Sequence, residues 1–137
     1  MKHLVLGSSG QIGSHLVKYL SHQGIDVIEY DIERYAAEDL RIYADQLLEE
    51  YMNQSDFVYF LAFDIGGSEY LTKYQNTYDF ISNNIKIMNG TFDALKKTKK
   101  PFIFSSSQMS NMVYSSYGHM KSIGEYYTKS LNGLVAK

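Results

Sequence analysis

The chain has 137 residues, 45% of them hydrophobic and 20% charged, which fits one domain with a buried core and excludes a disordered chain. Its formal net charge of -2 supplies no basic field for nucleic acid or an anionic membrane, so small molecules or proteins are the expected partners. The absence of cysteine excludes a disulfide framework and thiolate chemistry, and it favours a cytoplasmic location.

Short apolar runs alternate along the chain with segments of helical periodicity. The predicted strands are residues 4–6, 26–30, 57–61, 101–104 and the start of a fifth at 133–136. The predicted helices are residues 12–23, about 40–52, about 68–97 with an irregularity near Asn76, and about 116–131. One face of the second helix is predicted to carry Leu40, Tyr43, Leu47, Leu48 and Tyr51. This alternation indicates right-handed crossovers and a parallel sheet covered on both faces, the Rossmann-type doubly wound α/β class.

The candidate functional residues gather at one edge of this sheet. In open parallel sheets, ligands bind beyond the carboxyl ends of the strands. The residues at or just after those ends are Gly7, Asp31, Ala62 and Ser107. We therefore expect one site, shared by several strand ends.

Residues 7–13, Gly-Ser-Ser-Gly-Gln-Ile-Gly, place three glycines between the first strand and the first helix. Gly7 would allow the tight turn, Gly10 would let the main chain approach a pyrophosphate, and Gly13 would allow close packing of helix and strand. The helix N-terminus would supply N–H donors to the phosphates. Because Gly-rich turns are common, the triplet alone is a weak signal.

Asp31 strengthens the cofactor interpretation because it ends the second strand. A carboxylate there can accept hydrogen bonds from the adenine ribose hydroxyls. It would also repel a 2′-phosphate, which favours NAD over NADP, although the nearby Arg34 could bind such a phosphate.

Tyr117 and Lys121 are four residues apart and share one face of the last predicted helix. A phenol with a pKa near about 10 is a poor base at neutral pH, and a neighbouring ammonium lowers that pKa by favouring the phenolate. Such pairs are common on surface helices. The pair gains meaning here because it follows a strand that ends in three serines, residues 105–107, within a dinucleotide-binding pattern.

The sequence supports neither a membrane protein nor a metal-binding protein. No apolar run approaches the roughly 18 residues of a membrane span, so we expect no membrane association. The four histidines show no metal-site spacing, and without cysteine we expect no metal site.

Taken in order, these motifs resemble those of the extended short-chain dehydrogenase/reductases. The chain is most similar to their NAD-dependent nucleotide-sugar epimerase/dehydratase family, the family of UDP-glucose 4-epimerase. The similarity covers nearly the whole chain and combines individually weak motifs. They are Gly7-x-x-Gly10-x-x-Gly13, Asp31, Asp39-Leu40-Arg41, Leu61-Ala62, Asn84, Phe104-Ser105-Ser106-Ser107 and Tyr117-x-x-x-Lys121.

The resemblance implies that residues 1–137 form an NAD-binding Rossmann domain, incomplete by comparison with the family. The residues implied to bind the pyrophosphate are Gly7, Gly10, Gln11, Ile12 and Gly13. Asp31 would bind the adenosine ribose, while Asp39 and Leu40 would border the adenine. Ala62 and its neighbour Phe63 would border the cofactor in the loop after the third strand.

The resemblance also implies a catalytic group of residues. Tyr117 would be the general base, and Lys121 would bind the nicotinamide ribose and tune Tyr117. Ser107 would hydrogen-bond the reacting hydroxyl, with Ser106 as the alternative, and Asn84 matches a structural and active-site asparagine. Tyr117 would remove a proton from a sugar hydroxyl while hydride passes to NAD. The keto-sugar formed would then be reduced from the other face or rearranged.

Several residues depart from the family pattern. The segment between Ser107 and Tyr117 is shorter than is usual in sugar epimerases, so the loop that shapes the sugar pocket is trimmed. Gln108 and Met109 stand where nucleotide-sugar dehydratases carry an Asp-Glu pair, which favours an epimerase or a reductase. Phe63 stands where the family often has a small residue.

Length leaves two hypotheses open, because family members are roughly twice as long and carry a C-terminal substrate domain. The chain is either the NAD-binding, motif-bearing part of a nucleotide-sugar epimerase or reductase, or a non-catalytic NAD-binding or interaction module with an exposed sheet edge after the fourth strand. The resemblance further implies a nucleotide-sugar substrate. It also implies a homodimer formed through the long helix and the Tyr117 helix, unless a missing C-terminal region is required.

Overall fold

The computed structural model describes residues 1–42, 46–112 and 114–137, with helices and strands in the order expected from the sequence. The strands are β1 (Lys2–Leu6), β2 (Asp26–Tyr30), β3 (Phe57–Phe60), β4 (Phe102–Ser105) and β5 (Leu134–Ala136). The α-helices are α1 (Gln11–His22), α2 (Gln46–Asn53), α3 (Ser68–Tyr74), α4 (Tyr78–Thr98) and α5 (Ser116–Ser130). A 3-10 helix, Gln108–Asn111, lies between β4 and α5.

The strands form one parallel sheet in the order β2-β1-β3-β4-β5. The chain moves from β1 to β2 in one direction and then returns to add β3, β4 and β5 on the other side of β1. The carboxyl ends of β1 and β3 therefore border the topological switch point, where open α/β sheets bind ligands. This arrangement confirms the predicted Rossmann-type class. It also corrects the expected edge, because β5 pairs with β4 and is itself the edge strand.

The main core lies between one face of the sheet and the helices α2, α4 and α5. The strand residues that point into it are Leu4, Leu6, Val58, Phe60, Phe102 and Phe104, all at most 2% exposed. Phe92 of α4 meets the rings of Phe60 and Phe104 at 5.3 and 5.6 Å between centroids. Because each fully buried apolar side chain contributes roughly 1.5–3 kcal/mol, these contacts hold α4 firmly against the strand ends.

The opposite face of the sheet is less well covered than the sequence led us to expect. Here α1 packs against β1 and β2. On β3 and β4, Phe57, Tyr59 and Ile103 are only half-buried, and Leu134, which pairs with Ile103, is 60% exposed. The reason is topological, since right-handed crossovers that add strands in one direction all lie on the same face.

The structure corrects one predicted helix boundary and confirms another. Residues 40–42 form a turn instead of a helix, because the Asp39 carboxylate accepts the Arg41 N–H and competes with helical hydrogen bonding. The expected position of Tyr43 lies outside the described residues. The irregularity expected near Asn76 is confirmed, because α3 ends at Tyr74 and a new helix begins after Thr77. None of the described helices combines the length and apolar character needed to cross a bilayer.

Candidate cofactor and proton-transfer site

The glycine turn after β1 depends on two very close approaches of main chain. Gly7 has a φ of 89°, and a Cβ there would lie 2.9 Å from the Ala62 nitrogen. A Cβ on Gly13 would lie 2.0 Å from the Gly7 carbonyl oxygen. Both positions therefore require glycine, the first for its conformation and the second for the packing of α1 on the turn.

The N-terminus of α1 has the form of a phosphate site. Gly10 is the N-cap, and within the described structure no side chain caps the helix. A Cβ on Gly10 would meet only the Gly7 oxygen, at 3.4 Å, so the main chain is open to approach. The N–H groups of Gln11, Ile12 and Gly13 in the first turn lack intrahelical acceptors, as at any helix start. Together with the helix dipole, they fit the phosphates of a dinucleotide.

Asp31 ties this turn to the loop after β2. Its Oδ2 accepts the Ser9 N–H at 2.9 Å, and its Oδ1 accepts the Glu33 N–H at 2.9 Å. The main-chain N–H of Asp31 donates to the Glu38 carboxylate at 3.0 Å. The partly exposed carboxylate of Asp31 thus stands directly beside the glycine turn, where the sequence predicts the adenosine ribose.

Asp39 and Leu40 are more enclosed than the predicted adenine border suggests. The Asp39 carboxylate accepts the Arg41 main-chain N–H, Nε and Nη2 at 3.0, 2.9 and 2.8 Å. The hydrogen bonds from the Arg41 guanidinium hold the pKa of Asp39 below its ordinary value. Leu40 is 6% exposed and belongs to the hydrophobic core. The two side chains therefore fix the loop and expose little surface to a ligand.

Asn84 of α4 fixes the loop after β3. Its side chain is fully buried, and its Oδ1 accepts the Asp64 N–H at 2.6 Å. Its Nδ2 donates to the carbonyl oxygens of Asp64 and Phe80 at 3.1 and 3.0 Å. Asn83 adds a hydrogen bond to the Asp64 carboxylate at 3.0 Å. Asn84 therefore holds in place the loop that carries Ala62 and Phe63.

Ser107 and Tyr117 lie together at the start of α5. Ser107 caps the 3-10 helix by accepting the Met109 N–H at 3.1 Å. Burial raises the pKa of Tyr117, and the hydrogen bond with Ser107 lowers it in part. The sequence alternative, Ser106, instead donates to Glu125 at 2.8 Å. Of the two serines, Ser107 is the one that lowers the pKa of Tyr117.

Lys121 is buried among rings. Its Nζ lies 3.9 Å from the centroid of the Phe63 ring and 4.9 Å from that of Phe104, and it donates to the Ser105 carbonyl oxygen at 2.6 Å. The side chain is 3% exposed, and burial lowers its pKa to about 7. The Nζ is 5.7 Å from the centre of the Tyr117 ring. The expected lowering of the Tyr117 pKa by this ammonium is not found, because burial of the phenol dominates.

Ala62 and Phe63 join the two ends of the site. The main chain of Ala62 lies against Gly7, while the ring of Phe63 meets Tyr117 edge to face at 5.8 Å and covers the Lys121 ammonium. The glycine turn and the Ser107, Tyr117 and Lys121 side chains are thus brought to the same edge of the sheet.

Two residues near the site, Glu38 and Gly118, were not predicted to have a part in it, and a third, Phe63, has a larger part than predicted. Glu38 is buried beside Asp31, and Phe63, expected only to border the cofactor, contacts both Tyr117 and Lys121. A Cβ on Gly118 would lie 2.0 Å from the Met109 oxygen, so this glycine lets α5 pack on the 3-10 helix. A glycine inside a helix costs about 1 kcal/mol relative to alanine, and that cost was the available signal for Gly118.

The family model of the NAD dependent epimerase/dehydratase family matches residues 3–132. This chain therefore belongs to that family. A search of curated proteins by sequence found no match.

Solved structures share the fold. A short-chain dehydrogenase/reductase superfamily protein from Agrobacterium tumefaciens with bound NAD matches with a TM-score of 0.77 and 18% identity, over 98% of this chain and 48% of that one. UDP-glucose-4-epimerase from Stenotrophomonas maltophila with bound NAD matches with a TM-score of 0.74 and 20% identity, over 96% of this chain and 48% of that one. A dTDP-4-dehydrorhamnose reductase from Bacillus anthracis in complex with NADP matches with a TM-score of 0.75 and 16% identity, over 98% of this chain and 51% of that one. The chain spans about half the length of the solved structures it matches.

Proposed function

We propose that this chain is the cofactor-binding and proton-transfer part of an NAD-dependent oxidoreductase that acts on nucleotide sugars, of the epimerase or reductase type. The observation that carries the proposal is the path from Gly7 through Ala62 and Phe63 to Tyr117 and Lys121. A dinucleotide bound at the glycine turn and extended along this path would bring its far end to the phenol.

The chain's own groups fit NAD at the adenosine end. The free N–H groups at the start of α1 would bind the pyrophosphate. The Asp31 carboxylate would exchange its hydrogen bond from Ser9 for one from a ribose hydroxyl. At the other end, Lys121 would donate to the nicotinamide ribose. When bound, NAD supplies the hydride acceptor.

Tyr117 would act as the general base toward a sugar hydroxyl. Ser107 would donate a hydrogen bond to the same hydroxyl oxygen and hold it beside the phenol. The Lys121 Nζ lies 5.7 Å from the centre of the Tyr117 ring, so its charge, when it is protonated, would offset part of the rise that burial causes in the Tyr117 pKa. As the hydroxyl loses its proton and the carbon its hydride, the carbon becomes a carbonyl. Gln108 and Met109 carry no carboxylate for an elimination, which favours epimerisation or reduction.

The second candidate is a non-catalytic module that binds NAD or a partner, and it is favoured by the burial of Tyr117, which raises the pKa of the phenol and so disfavours the phenolate. The chain covers about half of each solved structure that it matches. The two candidates share cofactor binding and differ in turnover.

Cofactor binding and turnover test the two candidates in sequence. Titration calorimetry of NAD⁺ against the 137-residue chain checks the first, and formation of NADH absorbance with UDP-glucose or dTDP-sugars checks the second. We expect the Tyr117→Phe variant to bind NAD⁺ as the unmodified chain does and to form no NADH. The matched control is Tyr126→Phe on the same helix, because Tyr126 is 71% exposed. NAD⁺ binding without turnover in the unmodified chain would favour the module.

We also propose a homodimer in which α4 and α5 face their counterparts. Exposed apolar side chains on these helices support it, with Ile85 41%, Ile123 46% and Tyr126 71% exposed. Ile123→Glu should shift the sedimentation coefficient to that of a monomer, while Ile42→Glu, at a position 64% exposed outside both helices, should not. A monomer at every concentration of the unmodified chain contradicts the dimer.

A further inference from the structure

Glu38 is a buried carboxylate in the loop between β2 and α2. The residue is 2% exposed, and both of its carboxylate oxygens have partners. Its Oε1 accepts the Asp31 N–H at 3.0 Å, and its Oε2 accepts the Tyr51 hydroxyl at 3.1 Å. Burying a carboxylate costs free energy of folding, so we expect Glu38 to have a role beside Asp31, the candidate ribose-binding acid.

Arg34 is held by the same carboxylate. Its Nη1 lies 3.7 Å from Glu38 Oε1 and donates a hydrogen bond to the Glu29 carbonyl oxygen. The guanidinium also lies over the Tyr35 ring, 5.3 Å from the centroid. A main-chain oxygen and a buried carboxylate therefore engage Nη1 of the guanidinium, and the guanidinium lies over a ring face.

The main chain of Arg34 lies on the turn where a guanidinium could bind a 2′-phosphate. Its main-chain N–H donates to the Asp31 carbonyl at 3.0 Å, so it lies on the same turn as the acid proposed to bind the ribose. A guanidinium pairs with phosphate through two parallel hydrogen bonds. The fold itself does not decide between the cofactors, because matching structures hold NAD in one case and NADP in another.

Resting on the proposed function, we propose that Glu38 determines a preference for NAD over NADP by holding Arg34 away from the 2′-phosphate position beside Asp31. Asp31 disfavours the phosphate by its own charge. Glu38 removes the one cation of this turn that could compensate, and it does so from a buried position that the ligand does not touch. Glu38 is thus a positioning residue for cofactor specificity.

The experiment measures dissociation constants of NAD⁺ and NADP⁺ by calorimetry for the full chain and for Glu38→Gln. Glutamine keeps the size of the side chain, its Oε1 can accept the Asp31 N–H, and its Nε2 can donate to the Tyr51 oxygen. Only the charge that pairs with Arg34 is lost. We expect the affinity for NADP⁺ relative to NAD⁺ to rise about tenfold or more, as expected for a new phosphate–guanidinium pair.

A double variant separates the release of Arg34 from the loss of negative charge. In Arg34→Leu with Glu38→Gln, the gain for NADP⁺ should disappear if it depends on the guanidinium. A matched charge control is Glu33→Gln, an exposed acid of the same loop, which should leave the ratio within about twofold. Adenosine 2′,5′-bisphosphate and 5′-AMP, used as shorter probes, should reproduce the same pattern at the adenosine end alone.

Arg34→Leu in the otherwise unchanged chain gives a test that does not need Glu38→Gln to fold. If Glu38 already withholds the guanidinium, this variant should bind NADP⁺ as weakly as the unmodified chain. A clear further loss of NADP⁺ affinity would show that Arg34 contacts the phosphate, and it would overturn the inference. So would a gain that survives in the double variant, or an unchanged ratio in Glu38→Gln. Failure of the unmodified chain to bind NAD⁺ is a different result, because it overturns the proposed function and this inference with it.

Discussion

The glycine turn and the group of Ser107, Tyr117 and Lys121 lie at the same edge of the sheet, but different contacts hold them. At the turn, main chain meets main chain, and the spacing leaves no room for a Cβ on Gly7 or Gly13. At the other end, side chains meet each other in a buried aromatic setting.

This difference separates the consequences of substitution at the two ends. A change at the turn acts on packing first and on binding through it. A change at the proton-transfer end acts on charge and hydrogen bonding while the backbone stays in place. The following predictions, from the largest expected effect to the smallest, test that separation.

Gly13→Ala should give the largest effect. The added Cβ would lie 2.0 Å from the Gly7 oxygen, so α1 must move off the turn, which we expect to cost about 3 kcal/mol or more of the free energy of unfolding. Urea unfolding followed by circular dichroism measures this cost. The matched control is Gly10→Ala, where the nearest atom is at 3.4 Å and φ is -71°. It should lose about 1 kcal/mol at most and yet weaken NAD⁺ binding. Equal destabilisation by both variants would contradict the contrast.

Lys121→Met should change how stability depends on pH. Burial lowers the pKa of Lys121 from 10.5 to about 7, so the unfolded chain binds its proton more tightly than the folded chain between these values. The stability of the unmodified chain relative to Lys121→Met should therefore rise with pH from about 7 toward 10.5, by up to about 1.4 kcal/mol per pH unit. Below pH 7 the difference should be flat.

Urea titrations at several pH values across this window measure the slope. Lys129→Met, an exposed position on the same helix, is the matched control. A flat difference for Lys121→Met would mean that the Ser105 carbonyl and the Phe63 ring keep the buried ammonium charged.

Ser107→Ala should have the smallest effect on stability, about 1 to 2 kcal/mol, because it removes the 3-10 helix cap on the Met109 N–H and the interaction with Tyr117. The interaction with Ser107 lowers the pKa of Tyr117, so the pKa of the phenol should rise further in the variant. The Cζ chemical shift of Tyr117 in a ¹³C-tyrosine sample measures the titration. Ser106→Ala loses a contact with Glu125 and should leave Tyr117 unchanged. A shift in Ser106→Ala instead would contradict the pairing of Ser107 with Tyr117.

The features predicted from sequence are those that local rules determine. Alternating periodicity located all the strands of the described sheet, and turn chemistry assigned the conformational role of Gly7 and the packing role of Gly13. The start of α2 was predicted wrongly because the Asp39 side chain bonds the Arg41 N–H, a local competition that periodicity does not detect.

The features that were not predicted depend on residues far apart in the chain. Phe63 contacts Lys121 across the site, and Glu38 bonds Tyr51 of α2 while it holds the loop after β2. The direction in which the Tyr117 pKa shifts depends on how deeply α5 is buried, and the sequence of α5 alone does not determine that depth. Such contacts follow from the assembled sheet and not from any one segment.

Asn84 should slow the local opening of the loop after β3. Because one buried amide bonds both the N–H and the carbonyl of Asp64, the amide proton of Asp64 is shielded as in a strand. Its exchange with deuterium should be slow for a loop and should require α4 to separate from the sheet. Local fluctuations at this edge would then be quenched, and the Phe63 ring would stay over the Lys121 ammonium on the timescale of ligand exchange.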